Sequence, residues 1–478
     1  MNYILNKLFS TPLSDQASMP SGFGVHPNGV PIFKGSNPPP GFEDILATIQ
    51  VDQLPEYASA VRKRLEPSLA KDCLGATLGD RFFTEYNVFY TVVFADDVKW
   101  IFKVPGETKM DSDGNYLARI HLRYKASLMR VLRRETSIPV PDVYDFNDTC
   151  DNELNCPFTL MEYITGVPLM ETWFDTEASP AETKTRRTRA LTDLAAAMVQ
   201  LDRYRFDHSG MAVFDTDGRI SGTAFPKPTR LDITPEEVSD LTAQFTPQLY
   251  YIWRLNGLDA PRDNLGHGAM KLLKMLFEWI PTPADDGKGP FVLAQMLIKG
   301  NKILVGPDGA VQAILGWDYA EAVPRAIGND AYPPWLMVNG FWCDEEPEGV
   351  PPPSESEETL AFYRKVYADQ IQAHRPKGGP PSQTRNSIIY LSLMNATKGS
   401  EPFMPVLEVI MRLILREIRE EVLPRLRATP GAKAAEVDLG MLELSTLCQR
   451  LHKGDTTEEE LELLKMGYEA LLSGDDIL

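Results

Sequence analysis

The chain has 478 residues, with 67 acidic against 48 basic side chains and a formal net charge of −19. That length exceeds what one compact core serves and implies two or three lobes, and the charge opposes nucleic acid and anionic lipid as partners. A hydrophobic content of 43% beside 24% charged residues excludes a disordered chain and a multi-span membrane protein. Five cysteines, Cys73, Cys150, Cys156, Cys343 and Cys448, show no CxxC spacing. That usage predicts a reduced, cytoplasmic protein with free thiols, not a disulfide framework or a zinc site.

Residues 1–45 include SMPSGFGVHPNGVPIFKGSNPPPGF, rich in Pro and Gly without a sustained period, and predict an extended arm. A helix is expected over 54–69. The runs TEYNVFYTVVF (84–94) and KWIFKVP (99–105) flank the short polar turn Ala95-Asp96-Asp97 and predict a β-hairpin. Gly75 and Gly79 precede it, where a phosphate-covering loop would lie. Ile120, Tyr124, Leu128, Val131 and Leu132 recur at helical spacing and predict a helix over 118–135, ended by Ile138-Pro139-Val140-Pro141. A strand, PFTLMEYI (157–164), then leads into mostly helical sequence at 181–205, 267–279, 357–374 and 405–422. Two short strands, KILV and AVQAILGW, interrupt it around the turn Gly306-Pro307-Asp308-Gly309. The basic run 184–189 reads as the solvated face of a helix. The expected plan is an arm (1–45), a β-rich N-lobe (46–160), a helical C-lobe (161–425) and an acidic helical tail (426–478).

Four of these pieces together resemble fungal members of the aminoglycoside phosphotransferase and choline kinase-like family. KWIFKVP is similar to that family's KWIxRxP strand, RRETSIPVPDVYDFN to its helix and following TSIPVPEVY, and PFTLMEYITGVPL to its interlobe hinge. FVLAQMLIKGNKILVGPDGAVQAILGWDYAEAVPR resembles the catalytic stretch FVLxHxDxxxxNILVDxxGxxxGIIDWDxA. The resemblance implies an α+β, bilobal protein kinase-like fold with a small β-rich N-lobe and a larger helical C-lobe. It also implies a family chemistry that moves the γ-phosphoryl of a nucleotide onto a small-molecule hydroxyl, chiefly by positioning and charge neutralisation.

Carried over residue by residue, that chemistry is mostly missing. The strand cation falls on Lys103. The helix glutamate that orients it falls on Lys125, and the His-x-Asp motif on Gln295-Met296-Leu297. The metal-binding asparagine falls on Lys302, and the metal-bridging aspartate on Gly316, just before Trp317 and Asp318. Glu to Lys shifts the local charge by two units, and each of the other three exchanges by one, all toward positive. No Mg²⁺ is expected, and nucleotide binding is left open, with Met161, Glu162 and Tyr163 at the hinge available to an adenine-like ring.

The site residues so implied are Lys103, Lys125, Lys302 and Gln295 for chemistry, with Glu162, Tyr163, Trp317 and Asp318 for ligand contact. Three functions follow. The first is metal-independent, non-phosphoryl group transfer or cyclisation on a small anionic molecule, in fungal specialised metabolism. The second is a pseudokinase that senses a ligand or acts as a scaffold, and the third is a residual ATP-dependent phosphotransferase.

Overall fold

Two-residue alternation organises the N-lobe. The computed structural model describes residues 23–25, 31–33, 38, 41–84, 87–106, 114–224, 246–256, 263–281, 287–295, 298–317, 320–337, 355–377, 382–397, 403–428 and 438–473. After helices α1 (Glu43–Thr48) and α2 (Leu54–Leu65) come strands β1 (Ala76–Phe83), β2 (Asn87–Phe94) and β3 (Lys99–Pro105). Helix α3 (Gly114–Glu135) separates them from β4 (Val143–Asn147) and β5 (Phe158–Glu162). The five strands form one antiparallel sheet in the order β1-β2-β3-β5-β4.

Side chains along a strand point alternately to the two faces, so this sheet serves two environments. Trp100, Phe102 and Val104 of β3 join Val88, Tyr90 and Val92 of β2 and Phe158 and Leu160 of β5 under Ile45, Leu54, Ala58 and Val61. That face is the N-lobe core. The opposite face buries Phe82, Phe89 and Ile101, with Met161, Tyr163 and Leu315 packed against them. Leu315 comes from the far side of the cleft, so this second face is where the lobes meet.

The expected hairpin is present, but it has a third strand on its outer side. In β1 the register shifts between Leu78 and Arg81. The Gly79-Asp80 pair lies in that irregularity within the strand, and Thr91 Oγ1 donates to the Asp80 carbonyl at 3.0 Å. A phosphate-covering loop had been expected at this point. The expected arm contains paired backbone as well, Phe23–Val25 with Pro31–Phe33.

The C-lobe is mainly helical. Its elements include β6 (Val167–Pro168), α4 (Pro180–Val199), β7 (Arg205–Phe206), α5 (Asn264–Glu278), β8 (Phe291–Gln295), β9 (Ile303–Val305), β10 (Val311–Ile314) and β11 (Ala320–Pro324). They continue with α6 (Glu357–His374), α7 (Phe403–Glu417), α8 (Leu444–Lys453) and α9 (Glu458–Ser473). β8 pairs with β11 and β7, while β9 pairs with β10 and β6. The result is the α+β, bilobal, protein kinase-like plan, with a small β-rich N-lobe and a larger helical C-lobe. No helix among the described residues is long and apolar enough to cross a membrane.

Helix α3 belongs to the sheet by connectivity and to the C-lobe by packing. Tyr124, Leu128, Met129, Val131 and Leu132 sit in the large C-lobe core, and the Tyr124 hydroxyl donates to the Ala320 carbonyl at 2.5 Å. The C-terminal segment is not a tail. Leu447, Cys448 and Leu451 of α8 and Leu463, Leu464, Tyr468 and Leu471 of α9 are buried in that same core. The basic run 184–189 also differs from expectation, because Arg187 lies over the rings of Trp173 and Tyr363 and pairs with Glu355 at 2.8 Å. A planar guanidinium stacks well on aromatic faces, which a solvated lysine-like reading overlooks.

Helices α5 and α8 touch at Gly268, where a Cβ would overlap the Cys448 carbonyl oxygen. Gly268→Ala should therefore destabilise the protein by about 1–3 kcal/mol or more, read by denaturant unfolding. A neutral result would mean that α8 does not seat on α5. A second lock joins α8 to α9. Arg450 grips both oxygens of Glu460 at 2.6 and 2.9 Å, and Glu460 completes a reciprocal N-terminal cap with Thr457. The Arg450 hydrogen bonds hold the Glu460 carboxyl below its ordinary value, against the opposing effect of burial. A carboxyl depressed in the folded state stabilises above its unfolded value and loses that contribution as pH falls through the folded one. Glu460→Gln should cost roughly 1–3 kcal/mol at pH 7. Melts across pH should show the gap from the parent shrinking below the ordinary glutamate value of about 4.3.

Candidate functional site

The site is assembled where β8 ends, β9 begins and β10 runs out. Gln295 closes β8, Lys302 is the last residue of a short 3-10 turn (Gly300–Lys302), and Leu315-Gly316 follow β10. The ladder extends one step past β9, with the Leu315 N–H donating to the Lys302 carbonyl at 2.7 Å. Gly316 has φ +79°, the left-handed region that an L side chain enters at a cost. A Cβ there would meet Lys302 Cγ at 3.4 Å and Gln295 Nε2 at 3.6 Å, both ordinary contacts. Gln295, Lys302 and Gly316 are thus mutual neighbours, beside the Leu315 that abuts the N-lobe sheet.

Gln295 is 8% exposed. Its Nε2 donates to the carbonyls of Leu315 and Gly316, each at 3.0 Å. Through Nε2 this candidate braces the turn that carries Gly316. Trp317 was expected to contact ligand, and it does not present a surface for that: it is 0% exposed and its indole N–H donates to the Ile314 carbonyl at 2.8 Å. An indole walled in on all sides packs; it does not receive a ligand. Asp318 and Leu297 lie outside the described residues.

Lys103 sits on the cleft-facing side of β3, as alternation with Ile101 requires, opposite Phe89 on β2 and Thr159 on β5. Lys125 is 9% exposed on α3, between Tyr124 and Ala126 of the C-lobe core. The three lysines therefore occupy the sheet face, the interlobe helix and the turn before β9. Among the described residues, no three His, Cys, Asp or Glu side chains are grouped so as to hold a metal ion.

At the hinge, the backbone N–H groups of two of the three candidates, Glu162 and Tyr163, are engaged. The Glu162 N–H donates to the Asp142 carbonyl at 2.8 Å and the Tyr163 N–H to the Lys99 carbonyl at 3.3 Å. The Glu162 carboxylate accepts from the Asp142 N–H at 3.2 Å and lies 4.0 Å from Arg133. Tyr163 packs under the sheet with Lys99 Nζ 5.8 Å from its ring centroid, and burial, then the nearby Asp80 charge, raise its hydroxyl pKa. Phe82 and Phe89 stack at 4.9 Å with rings 5° from parallel. Sequence reasoning missed this aromatic filling, although FF at 82–83 and the F at 89 were its signal once strand pairing set both on one face.

A carboxylate at position 316 would lie beside Lys302. Gly316→Ala should cost about 1–2 kcal/mol through the left-handed backbone. Gly316→Asp should cost less, since Asp tolerates that region better and gains a cationic neighbour. Chemical denaturation of the two variants tests this, and the reverse order would mean that Lys302 does not reach the turn.

No family model matches the sequence, and no curated protein does. Among solved structures, the chain is similar to a macrolide 2′-phosphotransferase from Brachybacterium faecium, at 15% identity over 81% of this chain and 99% of that one, with a TM-score of 0.37. A choline kinase from Cryptosporidium parvum is 11% identical over 87% and 98%, with a TM-score of 0.34. An amicoumacin kinase in complex with AMP-PNP, Ca²⁺ and Ami is 9% identical over 86% of this chain and 96% of that one, with a TM-score of 0.39. At these identities the likeness is one of fold, the bilobal kinase-like plan, and of nothing finer.

Proposed function

We propose that this chain is a kinase-fold protein whose interlobe cleft binds a small anionic molecule and does not transfer phosphoryl groups. The observation that carries the reading is the Gly316 turn. Lys302 and Gln295 border it, at a position where the sequence resemblance calls for a metal-bridging carboxylate. A lysine supplies fixed positive charge at such a place, and in a chain of net charge −19 a cationic cleft draws anions by contrast with its surroundings. The stacked Phe82 and Phe89, and the engaged N–H groups of Glu162 and Tyr163, favour a ligand other than a nucleotide seated through the hinge.

Metal-independent group transfer or cyclisation is the second reading. Lys125, an amine held 9% exposed at the junction of the lobes, is the observation that favours it. The two readings share a ligand class and differ in whether product forms.

Thermal unfolding in EDTA, with inorganic phosphate and a panel of small carboxylates and phosphate esters, tests the proposal. Stabilisation by anions without Mg²⁺, lost in Lys302→Met, is the expected result. Product formation in EDTA would select group transfer over pure binding. Mg²⁺-dependent ATP consumption that disappears in Lys103→Met would overturn both and make the protein a phosphotransferase.

A further inference from the structure

Gln295 carries an amide whose orientation is settled by its partners. Nε2 points at two carbonyl oxygens, Leu315 O and Gly316 O, both at 3.0 Å. Turning the amide over would set Oε1 against both of them, acceptor against acceptor, so the oxygen is held on the other side. There it is buried and accepts no hydrogen bond. A second carbonyl oxygen with the same status, Asn301 Oδ1, belongs to the residue just before Lys302. Buried acceptors are nearly always satisfied, because leaving one dry forfeits its hydration without return. An acceptor left dry beside the turn that Lys302 borders asks for a group that brings an N–H donor.

We infer that the ligand of this cleft pairs an anionic group with an N–H donor, as in an amide-bearing or amino-bearing carboxylate. The inference rests on the anion-binding reading above and adds the second half of the ligand. The anionic end lies toward Lys302, and the N–H end meets Gln295 Oε1. Such a site discriminates sharply, since a ligand that replaces the N–H by a methyl group buries the acceptor still unpaired.

Two probes isolate that difference. Succinamate and levulinate carry the same charge and nearly the same shape, and differ in an amide NH₂ against a methyl. Calorimetric titration of the full-length protein in EDTA should show succinamate binding about 10- to 100-fold more tightly. The preference should collapse in Gln295→Met. Equal affinities for succinamate, levulinate and inorganic phosphate would overturn the donor requirement while leaving the anion site standing. If none of the three binds, both readings fall.

Discussion

One strand serves two interiors. The alternation in Lys99–Pro105 sends Trp100, Phe102 and Val104 into the N-lobe core and Ile101 and Lys103 toward the C-lobe. A one-residue slip of its pairing would exchange those sets, burying the lysine in an aromatic core and turning the tryptophan to the cleft. The seven-residue register with β2 forbids that slip, running from Asn87↔Pro105 to Val93↔Lys99. The cleft wall, the position of Lys103 and the packing of Leu315 beneath Ile101 all follow from that register.

Much of this could be read without coordinates where the signal is local. The strands at 87–94 and 99–105 are dense in β-branched and aromatic residues, and the amphipathic period of α3 is regular. Strand β1 was hidden because its alternation is interrupted at Gly79-Asp80, where the pairing itself shifts. The segment after residue 438 was misread because its acidic outer face dominates the composition. Its inner face, Leu447, Cys448, Leu451, Leu463, Leu464 and Tyr468, is apolar at helical spacing. At the site, the identities of Lys103, Gln295 and Lys302 were legible from the order of the motifs. The uses of Gln295 and Trp317 were not, since a hydrogen bond to a carbonyl 20 residues away is a property of the fold.

The turn beside the second face of the N-lobe sheet is held by neutral groups. The Leu315-Gly316 turn is supported by the Gln295 amide, which does not titrate, so the brace keeps its charge state at every pH that leaves the protein folded. Glycine at 316 meanwhile accepts the left-handed backbone without the strain that other residues incur there. Packing and backbone geometry are thus satisfied at the turn by an uncharged amide and a glycine.

The seating of α8 against α5 has a bearing on how the molecule is made. Lys271 of α5 donates through Nζ to the Leu451 carbonyl, a partner 180 residues further along the chain. During synthesis the apolar side of α5, with Leu272, Leu273 and Leu276, emerges long before the helix that closes over it. Contacts of such long sequence separation form slowly and leave greasy surface uncovered in the interval. The apolar side of α5 is therefore covered only after α8 has been made, some 180 residues later.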